Sequence, residues 1–252
     1  MYAGGTLRPP CHLQKSQELP MTTSIPDYTP TRIRDVIFPC ADSQDLIEGI
    51  VDGTIPFPVS GKNGIILHGV YGTGKTALAK LLPDALEMNR AGYEANYNFD
   101  HVQQGNNGAQ LTDKLKRIAS LMPFSTYHYF VLDEVDNLNK DAMSSLKTVM
   151  NMPHTVFIMT TNNITKIEGG VQNRSYRVEM NAAPAVKWLP LFKRVMNDQN
   201  VSPPDDSVLL AVIEKCNGSA RDIVSAAMRL ARRIKQTQND NTLPEMLSPT
   251  GT

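Results

Sequence analysis

Cysteine is scarce: Cys11, Cys40 and Cys216 are the only three in 252 residues, and they stand far apart. That spacing excludes a disulfide framework and the paired ligands of a structural zinc site. The five histidines show no ligand spacing either. Long apolar runs are missing: Gly64–His68 and Val156–Met159 are the best, against the roughly 20 residues a membrane-spanning helix needs. The first stretch holds Arg8, Pro9, Pro10, Lys15 and Glu18 but no apolar block of a secretory signal. An excess of one charge is also missing, with 25 Lys and Arg against 25 Asp and Glu. Net charge therefore points to no polyanionic partner, and any nucleic-acid surface must come from local clustering. The expected compartment is the cytoplasm.

What the chain does have is 41% hydrophobic residues, enough for a sizeable core. Residues 1–27 and 236–252 are polar, without apolar periodicity, and read as flexible tails. Between them the signals alternate. Asp42 or Ser43 can cap a helix running through Val51, and Gly64–His68 is a short apolar strand ahead of a glycine-rich loop. A helix follows from Lys75 with Leu78, Leu81 and Leu82 on one face. Tyr93–Phe99 is a weak strand candidate, Leu111–Leu121 an amphipathic helix, and Tyr127–Leu132 a buried strand followed by a helix over 139–150. Val156–Thr160 and Tyr176–Met180 supply two more strands. This rhythm predicts an α/β fold, a parallel sheet with helices on both faces. From Ala183 it stops: Val186–Asn197, Asp205–Cys216 and Ser219–Ile234 are all helical, with Pro190 a break or kink in the first and Ser219 an N-cap for the last. The expected organisation is an α/β domain over 28–182 and a small helical domain over 183–235.

The glycine loop Gly69-Val70-Tyr71-Gly72-Thr73-Gly74-Lys75-Thr76 satisfies G-x-x-x-x-G-K-[ST]. Its glycines let backbone N–H groups converge on phosphates, and the helix opening at Lys75 adds its positive end. Lys75 can reach the β- and γ-phosphates and Thr76 can ligate Mg²⁺. The strand Tyr129–Leu132 ends in Asp133 and Glu134. A carboxylate there can hold the metal or its waters, which is the role expected of Asp133, and Glu134 would orient and deprotonate water. Val156–Thr160 runs into Thr161, Asn162 and Asn163; Asn162 is the better placed to meet the γ-phosphate or the water, although Asn at a strand exit also serves turns. Asn139-Lys140-Asp141-Ala142 lacks the N-K-x-D order that reads guanine, which favours ATP.

Four stretches together resemble the AAA+ ATPases, and more narrowly the clamp-loader group with its replication factor C small subunits and phage ATPase subunits. They are 30–37, which resembles the family's entry segment; Asp133-Glu134-Val135-Asp136-Asn137-Leu138 with Asp141, Ala142, Leu146 and Lys147; Phe157-Ile158-Met159-Thr160-Thr161-Asn162 with Lys166 and Ile167; and Gly218-Ser219-Ala220-Arg221-Asp222. The resemblance implies a P-loop core followed by a helical lid, with ATP in the groove between them and Asn162 as first sensor. It implies that Arg221 reaches the γ-phosphate in cis from the lid. Asn173-Arg174-Ser175 is similar to the family's Ser-Arg-Cys motif, so Arg174 is the candidate to enter a neighbouring subunit's site, with Arg177 nearby as competitor. A ring or spiral, homo- or hetero-oligomeric, follows from that assignment, with DNA and a sliding clamp or other replication protein as implied partners. Lys147 falls where the family links DNA contact to the catalytic acids.

Clamp-loader subunits carry a further collar domain, and only a short polar stretch follows Lys235. Two rival readings therefore stay open. One is a helicase-loader-type or mobile-element DNA-associated ATPase, encoded by a phage or plasmid and acting in the host cytoplasm. The other is an ATP-dependent oligomeric switch or scaffold with slow hydrolysis, in a regulatory or defence complex. A protein remodeller is disfavoured, since 98–108 shows no aromatic-hydrophobic-glycine pore loop. Lys114, Lys116 and Arg117 make one basic patch and Arg229, Arg232, Arg233 and Lys235 another; either could meet phosphates or be a solvated face. Trp188, Leu189 and Phe192 read as core packing.

Overall fold

The computed structural model describes residues 27–59 and 61–242. The expected tail over 1–27 lies almost wholly outside them, as do Cys11 and residues 243–252. Five parallel strands form one sheet: β1 (Gly64–His68), β2 (Tyr97–His101), β3 (His128–Asp133), β4 (Thr155–Thr161) and β5 (Ser175–Glu179), in the order β2-β3-β4-β1-β5. Every pair is parallel, so each connection must cross the sheet, and helices make the crossings.

Alternation within the strands sends side chains to two cores. Ile65, Leu67, Tyr129, Val131 and Ile158 pack under α1 (Ala41–Asp52) and α2 (Lys75–Ala91). Ile66, Phe130, Leu132, Phe157 and Met159 pack on the other face against α3 (Ala109–Ala119), α4 (Lys140–Met150) and the short α5 (Gly169–Asn173). Being covered on both faces, the three central strands β3, β4 and β1 are almost continuous apolar runs.

After β5 come α6 (Ala185–Asp198), α7 (Asp206–Glu214) and α8 (Ala220–Thr242). They share a third core around Trp188, Phe192, Leu209, Ile213, Ile223 and Ala227, against which Tyr28 and Ile37 also pack.

Four sequence expectations are corrected. Neither Asp42 nor Ser43 caps α1: the helix starts at Ala41 behind Cys40, and the Ser43 hydroxyl donates to Glu179 O at 2.8 Å instead. The second strand sits at Tyr97–His101 rather than 93–99, because its pairing with β3 sets Tyr97 against Tyr129. Pro190 does not end α6, which continues to Asp198; in the second turn the ring forfeits one backbone bond that the surrounding packing offsets. The last helix runs past the expected boundary at Gln236 to Thr242. Ser219 behaves as expected, its Oγ accepting from Asp222 N at 3.4 Å.

Candidate functional site

In a parallel sheet all carboxyl ends lie on one side, and the loops leaving them share a crevice. The strand order sets the ends of β2, β3, β4 and β1 side by side, which brings His101, Asp133, Thr160 and the glycine loop into a row. The register accounts for the contacts: His101 pairs with Asp133, and Leu132 with Met159, leaving Asp133 beside Thr160.

Asp133 is the hub. Its Oδ1 accepts from Thr76 Oγ1 at 2.7 Å and from Thr160 Oγ1 at 2.6 Å, while Oδ2 lies 3.2 Å from His101 Nδ1. Glu134 follows in the left-handed region with φ 58°, a turn that lets a residue next to Asp133 leave the strand. Its N–H donates to Thr160 Oγ1 at 2.9 Å, and its Oε2 accepts from Asn137 Nδ2 at 3.2 Å, with His101 Nε2 at 3.9 Å.

The glycine loop takes three positive φ values, at Gly69 (147°), Gly72 (78°) and Gly74 (92°). At Gly69 a Cβ would also come within 2.5 Å of Met180 O, so only glycine fits. The loop is fastened from below: Thr73 Oγ1 donates to Met180 O at 2.6 Å, and Val70 N donates to Asn181 Oδ1 at 3.2 Å. The Lys75 ammonium donates to Gly69 O at 3.0 Å and Val70 O at 2.6 Å, curled into its own loop. Burial lowers the Lys75 pKa; Asp133, Asp136 and Glu134 oppose that, and Arg221 adds to it. Arg221, exposed near the start of α8, is therefore within electrostatic reach of Lys75. The lid touches the loop directly, with Ala220 N donating to Gly72 O at 2.9 Å.

The structure thus brings Lys75, Thr76, Asp133 and Glu134 together at one crevice, with exposed Arg221 next in the chain to the Ala220–Gly72 contact and Asn162 half-buried just past the end of β4. Asn163 spends its side chain on Thr165 N at 3.0 Å, capping a turn. Arg174 lies elsewhere. Its carbonyl accepts from Asn63 N and Gly64 N at the amino end of β1, across the sheet from the chain's own glycine loop. Its guanidinium donates to Asn151 Oδ1 and Gly170 O, both at 2.9 Å. Arg177 is exposed in the edge strand β5. Lys147 is ion-paired with Glu168 at 2.5 Å and Lys114 with Asp100 at 2.6 Å.

Sequence reasoning missed His101 and Thr160. Both approach Asp133 only through strand register; Thr160 lies in the Phe157–Asn162 stretch, but that pattern assigned no role to its hydroxyl, and His101 belongs to no local pattern. Among the described residues no group of three or more His, Cys, Asp or Glu side chains is arranged to hold a metal ion by itself. Any metal at the crevice would take one carboxylate, the Thr76 hydroxyl and oxygens of the nucleotide, an all-oxygen set that suits Mg²⁺.

Residues 65–182 match the model of the ATPase family associated with various cellular activities, AAA. The match marks 65–182 as an AAA domain within the chain. Its curated relatives include a Replication factor C small subunit 2 from Pyrobaculum islandicum, 24% identical over 180 residues, covering 70% of this chain and 55% of the relative. Another is a probable replication factor C subunit 2 from Dictyostelium discoideum, 26% identical over 215 residues, covering 82% and 60%. A third is a DNA polymerase III subunit gamma from Buchnera aphidicola subsp. Baizongia pistaciae, 24% identical, covering 64% and 48%. The chain spans between about half and three-fifths of the length of these relatives. Among solved structures it is similar to the Thermotoga maritima RuvB Holliday junction branch migration motor, with TM-score 0.59 and 15% identity over 85% of this chain and 67% of that one. At that identity the likeness shows a shared fold. Clamp-loader-like AAA+ ATPases are thus the group this chain resembles in sequence. Among the described residues no helix is long and apolar enough to cross a membrane.

Proposed function

We propose that this chain hydrolyses ATP with Mg²⁺ and couples turnover to conformational work on DNA or a DNA-bound protein, in an oligomer whose sites are shared between neighbouring subunits. One observation carries the shared-site part: Arg174 stands at the opposite end of the sheet from Lys75, Thr76, Asp133 and Glu134. A cation there cannot serve its own nucleotide, yet it is well placed for the crevice of a second copy packed head to tail.

In this reading Gly69, Val70, Tyr71, Gly72, Thr73 and Gly74 form the phosphate cradle. Lys75 exchanges its two carbonyl partners for phosphate oxygens, and the cost of its burial is offset by their charge. Thr76 and Asp133, already in contact, would hold Mg²⁺, which neutralises phosphate charge when bound. Glu134, steadied by Thr160 and Asn137, orients the attacking water and takes its proton. Asn162 holds the water or γ-phosphate. Arg221 from the lid and Arg174 from the neighbour stabilise charge as the phosphoryl group transfers. The separate core of α6–α8 supports a lid, now 183–242, that changes angle as a unit. Two observations support the partners. The sequence relatives are named for replication factor C and DNA polymerase III. Leu121, Met122 and Phe124, just after α3, are 65%, 88% and 91% exposed, an apolar surface of the kind that docks a protein such as a sliding clamp.

Mixing Arg174→Ala subunits with Lys75→Ala subunits tests the shared site. Each variant alone should be inactive, and the mixture should regain activity from hybrid sites; a mixture as dead as its parts refutes it. ATPase rates with and without primed or single-stranded DNA test the coupling, and equal rates at low salt would leave an ATP-dependent switch instead.

A further inference from the structure

Val70 and Tyr71 do not only belong to the nucleotide cradle. They also wall a groove of about 840 Å³ that neither Lys75, Thr76, Asp133 nor Glu134 lines. Its remaining walls are the end of α7, with Lys215, and the α8 face carrying Asp222, Arg229, Leu230 and Arg233. The groove is basic: three cations face it against one carboxylate. Among the described residues, none of the three cations is in an ion pair. Arg229 donates one hydrogen bond, to Ser225 Oγ at 2.7 Å, from a guanidinium with five N–H groups. At the glycine-loop end stands Tyr71, 74% exposed, beside Val70 at 46%. A tyrosine ring left in water at the tip of a loop is a stacking surface without a partner.

Cations along a groove with an exposed ring at one end match a phosphodiester strand whose bases are unpaired. The cations track the backbone and the ring takes a base face. Arg229 and Arg233 are one helical turn apart, about 6 Å along the axis, which suits successive phosphates better than the clustered phosphates of one mononucleotide. A duplex is a poorer fit, since its stacked bases offer Tyr71 no free face. We propose that this groove binds single-stranded DNA, and that its occupancy is linked to that of the nucleotide site. The choice of DNA rests on the function proposed above; the groove and its chemistry do not.

The linkage follows from the shared wall. Ala220 N donates to Gly72 O at 2.9 Å, fastening the start of α8 to the residue next to Tyr71. A Cβ on Gly72 would come within 2.6 Å of Ser219 Oγ, so the two segments move together. When phosphates draw Lys75 off Val70 O, the groove wall loses the shorter of the two bonds that carbonyl accepts, 2.6 Å from Lys75 against 3.1 Å from Thr73 Oγ1. A strand bound in the groove and a nucleotide in the cradle must then alter each other's affinity by the same factor.

The test uses the full chain and the fluorescence anisotropy of a labelled oligothymidylate of roughly twenty nucleotides. It is run from about 50 mM salt upward, with and without a non-hydrolysable ATP analogue. The double variant Arg229→Gln/Arg233→Gln should weaken binding at least ~10-fold and lower the slope of log affinity against log salt by about one to two. Tyr71→Ala should weaken binding about 5-fold or more without changing that slope. Lys116→Gln/Arg117→Gln, on the other basic helix, should bind as wild type does. The analogue should change strand affinity in the wild type and less so in the double variant. The groove is refuted if the double variant binds like wild type, or if the α3 variant loses as much. It is also refuted if wild type does not bind the strand, or if sedimentation shows that the double variant loses binding only in step with self-association. DNA-independent ATPase together with groove-dependent strand binding would instead sink the coupling and keep the groove.

Discussion

Thr160 is the residue whose removal tests the site geometry most directly. It is buried, 2% exposed, and its single hydroxyl donates to Asp133 at 2.6 Å while accepting from Glu134 N at 2.9 Å. Thr160→Val keeps the shape and deletes both bonds. Losing a hydrogen bond to a carboxylate costs about 1.5–3 kcal/mol, and leaving a partly buried N–H unpaired adds about 1 kcal/mol. The added methyl returns about 0.8 kcal/mol. The expected net loss is about 2–3 kcal/mol. Thr160→Ser keeps the hydroxyl and removes one methyl from the core, a loss of about 1 kcal/mol. With a urea dependence of about 2 kcal/mol per molar, the unfolding midpoint should fall by about 1–1.5 M for Val and about 0.5 M for Ser.

The functional readout should separate the two variants further. Glu134 sits in a left-handed conformation held in part by its N–H bond to Thr160. Without that bond the carboxylate loses its position, and kcat should drop about 10-fold or more, since small misplacements at a reacting centre carry large rate penalties. Binding of a non-hydrolysable ATP analogue should change far less. If Val is as stable as wild type, or if Ser loses more stability than Val, burial rather than hydrogen bonding fixes this corner, and the argument for Thr160 fails.

Other outcomes follow from the same geometry. Glu134→Gln should bind ATP as wild type does and release no phosphate in a malachite-green assay; normal turnover would remove the catalytic base. His68, at the end of β1, is held below its ordinary pKa of 6.5, chiefly by burial, with Arg177 and Lys75 adding and Glu179 opposing. The unfolded chain then binds this proton more readily than the folded one. The stability that neutral His68 contributes is complete above pH 6.5 and is lost as pH falls below it through the folded value. Urea midpoints of His68→Gln and wild type, compared from pH 8 to pH 5, should show wild type losing more; parallel curves would contradict this.

Much of the fold was legible because it is written in short range. The three central strands are covered on both faces, so β1, β3 and β4 appear as apolar runs whatever their neighbours. The glycine loop and the Asp133–Glu134 pair are contiguous, and the structure sets them together at Thr76. The edge strand β2 was the least legible. Its residues are Tyr, Asn, Phe, Asp and His, half-exposed for the most part, and a strand covered on one side has no reason to be apolar throughout. His101 was invisible for the same reason. Its approach to Asp133 depends on β2 pairing with β3 in one register, and a slip of one residue would turn the imidazole to the other face. Thr160 was seen as part of a strand, but its partners come from β3.

The placement of Arg174 makes the sharpest use of that difference between local and non-local information. Its neighbours in sequence, Asn173 and Ser175, mark it by resemblance to the Ser-Arg-Cys motif but say nothing of its distance from the chain's own cradle. Its carbonyl, bonded to the N–H groups of Asn63 and Gly64, fixes it at the amino end of β1, while β1 delivers the glycine loop from its carboxyl end. The same strand therefore separates the chain's own phosphate cradle from its candidate cation by its full length. A five-residue strand rises about 3.3 Å per residue, so the gap is about 15 Å, beyond the reach of an arginine already bonded to Asn151 and Gly170. Either Arg174 has no part in hydrolysis, or a second copy brings it to the crevice. Mixed subunits separate the two cases, because activity that returns only when Arg174 and Lys75 come from different chains has no intramolecular explanation.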